Sequence, residues 1–523
     1  MSVELERLAL QQSLDKAKTA LERNKLGQFA TPTLLASELL QFTRSLITSD
    51  QPIRFLDPAI GTGAFYSAFC REFDSANNEE AVGFEIDPHY GGPAKTLWKD
   101  HPLNIRMEDF TTATFPRETD QYNLIVCNPP YVRHHHLASK TKEILAEKTA
   151  LAAGFSMNGL AGLYCYFIAI SHAWLSNGGI ACWLVPSEFM DVNYGIALKR
   201  YLAESVELIR IHRYDPSELQ FGDALVSSAV LFFRKKLPRP DHQIEFSFGG
   251  TLSKPAVATH ISVQQLVHAP KWSRLAQYGI KPRHQGLVLS DYFSIKRGIA
   301  TGDNSFFIMS EEQAEQLEIP KQFLKPVLPG PRYLETDLVE AENDGTPKVH
   351  RRLFMLDCPL PEEEVRAIYP KLWQYLETGR LSAGQSYLSS RRTPWYVQES
   401  RKPAPFICTY MGRNLGAKRS KPFRFILNRS DAVASNVYLM LYPKGALLKA
   451  LTASPELDIA VWNFLNSIHA DALLGEGRVY GGGLYKMEPA ELANVPADSL
   501  EMLLPSDIHK PFSQSEMFRG QVA

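Results

Sequence analysis

Four short strings carry side chains able to do chemistry: DPAIGTGAF at 57–65, GFEID at 83–87, MEDF at 107–110 and NPPY at 128–131. In the last, two adjacent prolines remove two backbone donors and stiffen the chain, so the Asn128 amide oxygen and the Pro129 carbonyl can serve one partner. Two fixed acceptors suit the two hydrogens of a planar exocyclic amine. Such an amine is a poor nucleophile because its lone pair is delocalised into the ring, and the acceptors favour the pyramidal geometry that forms as it attacks. Tyr131, after Pro130, can stack on the ring that bears the amine. In the first string Gly61 and Gly63 permit a tight turn and close approach of a ligand, and Asp57 can accept from an amino group. The loop lacks a GxxxxGK[ST] phosphate cradle and does not match GxGxxG, which disfavours a nucleotide diphosphate. Glu85 can accept from two ribose hydroxyls, Asp109 from an adenine amine, and Phe110 can cover the ring. Each string alone also fits an ordinary turn or helix cap; their order and spacing describe an adenosine pocket beside an amine-positioning turn.

These strings follow short apolar runs. IRFLD at 53–57, AVGF at 81–84 and YNLIVC at 122–127 read as strands, with FYSAFCREF as a helix after the glycine loop. Strand, helix, strand repetition predicts an α/β fold with a parallel sheet and crossover helices, in which ligands sit outside the carboxyl ends of the strands. Further strands are predicted at 178–186, 206–214 and 225–236, with the sheet ending near 236. The predicted segments are a helical extension over 1–25, a catalytic domain over 26–240, a connection over 241–285 and a second domain over 286–523.

Composition narrows the function classes. The 523 residues are 45% hydrophobic and 22% charged, with 56 Lys plus Arg against 57 Asp plus Glu, which excludes a fibrous or wholly disordered chain and gives no global attraction to nucleic acid. Charge is instead local. From Arg391 to Arg429 ten cations, Arg391, Arg392, Arg401, Lys402, Arg413, Lys418, Arg419, Lys421, Arg424 and Arg429, face the single acid Glu399. Trp395, Tyr396, Tyr410 and Phe423 are interleaved with them, a composition suited to phosphate contacts plus base or sugar packing, against the plainer reading of a solvated basic face. The six cysteines are scattered, which predicts a reducing compartment and no zinc site. His134, His135 and His136 are consecutive and cannot easily direct three imidazoles at one ion; no metal is predicted. The amino terminus has no apolar signal core and no run reaches about 20 apolar residues, so no membrane anchor is expected.

In this order the four strings resemble the DNA adenine-N6 methyltransferases of the gamma arrangement, with cofactor motifs before the catalytic one and a carboxyl-terminal target-recognition domain. The resemblance implies a methyltransferase-type Rossmann-like sheet with helices on both faces, followed by a mixed α+β DNA-recognition domain. It implies S-adenosyl-L-methionine as cofactor, held by Thr31 of GQFATP and by Asp57, Ala59, Gly61, Gly63, Glu85, Ile86, Asp109, Phe110, Asn128 and Phe167. Its catalytic set would be Asn128, Pro129, Pro130 and Tyr131, with Phe221 opposite Tyr131 across an extruded base. Segments 296–309 and 481–492 resemble the start and close of the recognition domain. Double-stranded DNA is the implied partner, with a separately encoded restriction endonuclease, a bacterial cytoplasmic setting and a monomer or weak dimer. Two other readings fit the residues: a protein glutamine N5 methyltransferase, whose planar amide poses a similar nucleophile problem, and a non-catalytic DNA-recognition protein that keeps the fold.

Overall fold

The computed structural model describes residues 3–47, 51–73, 78–215, 227–278, 286–413, 421–480 and 484–504. They form two compact units, one of residues up to 278 and one of residues 286–479 and 484–504. Among the described residues, no helix is long and apolar enough to cross a membrane.

The first unit is built on a nine-stranded sheet: β1 (Ile53–Asp57), β2 (Asn78–Phe84), β3 (Asn104–Arg106), β4 (Tyr122–Cys127), β5 (Leu175–Pro186), β6 (Glu207–Arg213), β7 (Ser228–Arg234), β8 (Gln243–Gly250) and β9 (Pro255–Ser262). Their spatial order is β3-β2-β1-β4-β5-β7-β6-β8-β9. The first five strands are parallel, and β7 inserts antiparallel between β5 and β6. The sheet does not end near 236. Ile244 and Phe246 alternate with polar residues at 243–248, and β8 joins β6 in parallel while β9 returns antiparallel along its edge. Residues 243–262 therefore belong to the sheet and are no mere connection.

Both faces of the sheet are apolar, as a covered parallel sheet requires. Phe55, Leu124, Val126, Cys182 and Leu184 enter one core together with Leu35, Leu39, Phe65 and Phe69. These come from α3 (Thr33–Leu46) and α4 (Ala64–Glu72). The alternate residues Leu56, Ile125, Ala181 and Trp183 enter the other core with Leu145, Phe167 and Leu198, from helices Ser139–Ala153, Leu163–Ile170 and Ile196–Glu204. The strand order turns back at β1, which has β2 on one side and β4 on the other, so the loops after β1 and β4 leave neighbouring strand ends. That reversal is where an open α/β sheet opens a crevice.

Two further helices, α1 (Val3–Lys16) and α2 (Ala20–Leu26), precede the sheet. Arg7 is buried on α1, where its guanidinium bonds Glu4 at 2.7 Å and the Thr33 and Thr62 hydroxyls at 3.2 Å. The amino-terminal helices are thus fastened to α3 and to the glycine loop.

The second unit holds a five-stranded sheet in the order Phe293–Arg297, Tyr438–Pro443, Phe406–Thr409, Phe425–Asn428, Leu338–Val339. A three-stranded sheet of Ile308–Ser310, Leu353–Leu356 and Leu324–Val327, an antiparallel pairing of Met411–Arg413 with Leu484–Lys486 and several helices give it a mixed α+β architecture.

Candidate active site

The glycine loop leaves β1 through two residues in the left-handed region, Gly61 at φ 54° and Gly63 at φ 89°. Only glycine takes that backbone freely. At Gly63 a Cβ would also lie 2.6 Å from the Trp98 indole nitrogen, which donates to the Thr62 carbonyl at 2.9 Å. The loop is tied sideways to β2: the Ile60 amide donates to the Phe84 carbonyl at 2.8 Å and the Gly61 amide to Glu85 Oε2 at 3.0 Å. The other Glu85 oxygen accepts from the Asp87 amide at 2.8 Å. Burial pushes the Glu85 carboxyl above its ordinary range against the pull of these two amides.

Asp57 ends β1 fully buried, accepting from the Ala59 amide at 3.1 Å. Burial raises its carboxyl to about 7, more than the Ala59 and Cys127 hydrogen bonds can lower it. The folded chain therefore keeps a proton that the unfolded chain releases above about pH 4. This contribution to stability is complete below that pH and is lost as pH rises through about 7. Asp57→Asn is expected to remove the slope, changing the pH 5 to pH 8 difference in stability by up to about 3 kcal/mol; urea midpoints at the two pH values measure it.

A cavity of about 510 Å³ opens at these strand ends. Its walls bring together Ala59, Gly61, Glu85, Ile86, Asp109, Phe110, Asn128, Pro130 and Phe167. Asp57, Gly63, Thr31, Pro129 and Tyr131 are not part of this lining. Phe110 and Phe167 make an apolar end, their ring centroids 5.5 Å apart. Asp109 beside them is oriented by the Thr111 amide and hydroxyl, both bonded to its Oδ1 at 2.8 and 2.7 Å. Ile86 is 66% exposed, an apolar side chain held open at a polar rim.

The Asn128 turn is gripped by residues 27–31, the GQFAT segment. Asn128 Nδ2 donates to the Phe29 carbonyl at 2.9 Å and to the Thr31 hydroxyl at 3.1 Å, and the Tyr131 amide donates to the Gly27 carbonyl at 3.1 Å. With both amide hydrogens occupied, the orientation of the Asn128 amide is set and its Oδ1 is left to accept. Tyr131 is largely buried; its hydroxyl donates to the Leu184 carbonyl at 3.2 Å and its ring packs 5.5 Å from that of Phe29. Thr31 is buried and acts here on Asn128. Phe221 lies outside the described residues.

The strings do not disclose the roof of the cavity. Gln11, Asp15 and Lys18 of α1 and its following turn line it, as does Gln28. Lys18 pairs with Asp87, and Gln28 Nε2 donates to the same carboxylate at 2.8 Å. Tyr90 donates to Asp15 at 2.9 Å. The charged periodicity of residues 1–25 is the one sequence signal, and it cannot tell a roof from a solvated helix.

In the second unit the basic segment needs correction. Trp395, Tyr396, Tyr410 and Phe423 are buried in its cores and cannot stack on a base. Arg424 is 6% exposed, bonded to Asp337 at 2.7 Å and to the Pro331 and Leu334 carbonyls at 2.9 and 3.0 Å. Arg392 is occupied by the Ala300 and Thr301 carbonyls at 2.8 and 2.9 Å, and Lys421 by the Asn466 carbonyl. Arg401 pairs with Glu399 at 2.7 Å, and Arg429 with Asp458 at 2.7 Å. Arg391, Lys402 and Arg413 are exposed; Lys418 and Arg419 lie outside the described residues. Arg424→Met is expected to destabilise this unit by about 3 kcal/mol by orphaning its acceptors, seen as a lower melting temperature with an unchanged salt dependence of DNA binding.

Residues 3–220 match the family model of the Eco57I restriction-modification methylase, and residues 276–517 match that of the C-terminal domain of the type II methyltransferase M.Eco57I. The type II methyltransferase M.XamI of Xanthomonas campestris pv. amaranthicola is 28% identical over 490 residues, spanning 92% of this chain and 86% of its own. M.AccI of Acinetobacter calcoaceticus is 26% identical over 504 residues, spanning 92% and 87%. Among solved structures, the type IIL restriction-modification enzyme MmeI in complex with DNA shares the fold with a TM-score of 0.54 at 14% identity, over 94% of this chain and 67% of that one. Matched in both halves and along most of the length of its relatives, the chain belongs to the Eco57I family of restriction-modification methylases.

Proposed function

We propose that this methyltransferase transfers a methyl group from S-adenosyl-L-methionine to the N6 amine of adenine in double-stranded DNA. The observation that carries the reading is Asn128: two acceptors from residues 29–31 take its amide hydrogens, leaving its oxygen for an incoming amine at the edge of a cavity with nucleoside-binding chemistry. The cavity's size lies within the ~300–1,000 Å³ of small-molecule sites, and its donor set fits the cofactor. Glu85 holds the ribose hydroxyls, Asp109 meets the adenine amine, and Phe110, Phe167 and Ile86 cover the ring. Asp57 and the glycine loop belong to the methionine end, where Thr31 acts through Asn128. Once bound, the cofactor supplies an electrophilic methyl on a sulfonium.

The target adenine must leave the duplex stack, at a cost of a few kcal/mol. Asn128 Oδ1 and the Pro129 carbonyl accept the two N6 hydrogens and direct the lone pair along the attack line. Pro130 stiffens the turn and lines the cavity, and Phe221 holds one ring face; Tyr131, buried against Phe29 with its hydroxyl on the Leu184 carbonyl, meets the other face only if its ring turns out of that packing. With the cofactor held by Glu85, Asp109 and the glycine loop, its methyl group would be what the positioned amine takes up, the amine giving up a proton in exchange. Positioning and preorganised acceptors supply the rate. The exposed cations of the second unit contribute phosphate contacts, and the relatives' restriction-modification names point to a cognate endonuclease as functional partner. A cytoplasmic, DNA-associated setting goes with this role.

The test is nucleoside mass spectrometry of duplex DNA after incubation with protein and isotopically labelled cofactor. Label in N6-methyladenine supports the proposal; label only in N4-methylcytosine, label nowhere in the DNA, or label in a glutamine of a translation release factor offered in a parallel incubation with none in DNA, overturns it.

A further inference from the structure

Among the described residues two aromatic side chains stand open to solvent, Tyr387 at 67% and Tyr333 at 54%, and both lie in the second unit. Each carries an arginine on its ring: the Arg391 guanidinium is 3.9 Å from the Tyr387 centroid, and that of Arg351 is 4.8 Å from Tyr333. Both arginines are exposed. Arg391 additionally donates to the Tyr387 hydroxyl. The aromatics that surround the basic segment in sequence are buried, so these two pairs are what the unit offers a flat ring or a base edge.

The support beneath Tyr387 and Arg391 is rigid. Ser389, between them, is fully buried. The Ser386 and Ser389 hydroxyls, bonded at 3.0 Å, fill the space where a Cβ on Gly302 would stand, 2.6 and 2.8 Å away. The neighbouring Arg392 is anchored on the Ala300 and Thr301 carbonyls. A phosphate can be held by a long, mobile cation. A guanidinium whose plane is set by a ring beneath it and by a hydroxyl at its edge instead presents its remaining N–H groups in a fixed direction, which suits two parallel acceptors such as O6 and N7 of guanine.

We infer that Arg391, held on Tyr387, reads a base edge of the DNA site, and that Tyr333 with Arg351 repeats the device at a second base pair. The inference rests on the proposed action on DNA and extends it to the residues that choose the sequence. Arg391→Gln removes the fork and Tyr387→Ala removes its platform; both side chains are exposed, and the variants' melting temperatures report their folding.

The experiment is methylation-sensitive single-molecule sequencing of DNA treated with full-length wild type and each variant. Wild type must first define a methylated sequence; if it modifies no DNA, the proposed function fails before this inference is reached. Given that sequence, both variants are expected to lose discrimination by about ten- to a hundredfold at one and the same base pair, with Tyr387→Phe, which keeps the ring and loses the hydroxyl, between them and wild type. The Arg351→Gln change is expected to relax a different base pair. Unchanged sequence preference, or a uniform loss of methylation at every sequence with a shallower salt dependence, would mean phosphate contact or no contact and overturns base reading.

Discussion

Asn128→Ala is expected to lower the rate of methyl transfer on the order of a thousandfold while the cofactor still binds. Removing one preorganised polar group at a reacting centre costs about a hundred- to a thousandfold, and Asn128 carries a second task because its amide hydrogens hold residues 29 and 31. Asn128→Asp separates the two. It keeps an acceptor for the amine but sets a carboxylate oxygen against the Phe29 carbonyl, so the grip is lost, and its rate is expected to be low as well. Single-turnover kinetics, with calorimetry of cofactor binding, tests both variants. Full methylation by Asn128→Ala would refute the assigned role.

Gly27→Ala is expected to lower the rate about a hundredfold by displacing the backbone of the catalytic turn. Gly27 sits at φ 67°, and a Cβ there would lie 2.3, 2.7 and 2.9 Å from the Tyr131 nitrogen, carbonyl carbon and Cα. These are backbone atoms of the catalytic turn and cannot swing away. Either residues 27–31 or the turn must move, and displacement of a reacting group by about 1 Å costs on the order of a hundredfold. Gly154 is the control. It has a similar φ of 74°, and a Cβ there would meet nothing within 4 Å, so Gly154→Ala carries only the left-handed penalty of about 1–2 kcal/mol. Both variants should melt lower, but only Gly27→Ala should lose catalytic rate; equal rates would show that the close approach is unimportant.

The floor of the cavity was readable because a parallel sheet delivers its ligand-binding residues as contiguous strings at strand ends. Gly61, Glu85 and Asn128 each follow an apolar run, and adjacent strands bring those runs together; Asp109 follows only the short strand β3, Asn104–Arg106. The roof was not readable. Gln11, Asp15 and Lys18 come from helix and turn positions whose types fit any solvated surface, and only the tertiary contacts of Arg7 and Asp87 place them. In the second domain, counting cations and aromatics over 391–429 measured composition but not direction: Trp395 and Tyr396 point inward, Arg424 spans buried carbonyls, and the exposed ring is Tyr387, outside the counted stretch. Strands β8 and β9, the last two on one side of the sheet, escape the sequence reading because a change to polar, proline-rich composition at 237–242 looks the same for a turn as for a domain boundary.

The bond from Asn128 to Phe29 joins residues 99 positions apart. During synthesis on the ribosome, residues 27–31 emerge long before the turn they must grip, and bringing such distant segments together carries the entropy of closing a long loop. The segment 27–31 is therefore locked in place late, once β4 has joined β1 and brought the turn beside it. A nascent chain stalled before residue 128 holds the gripping segment without the turn it grips.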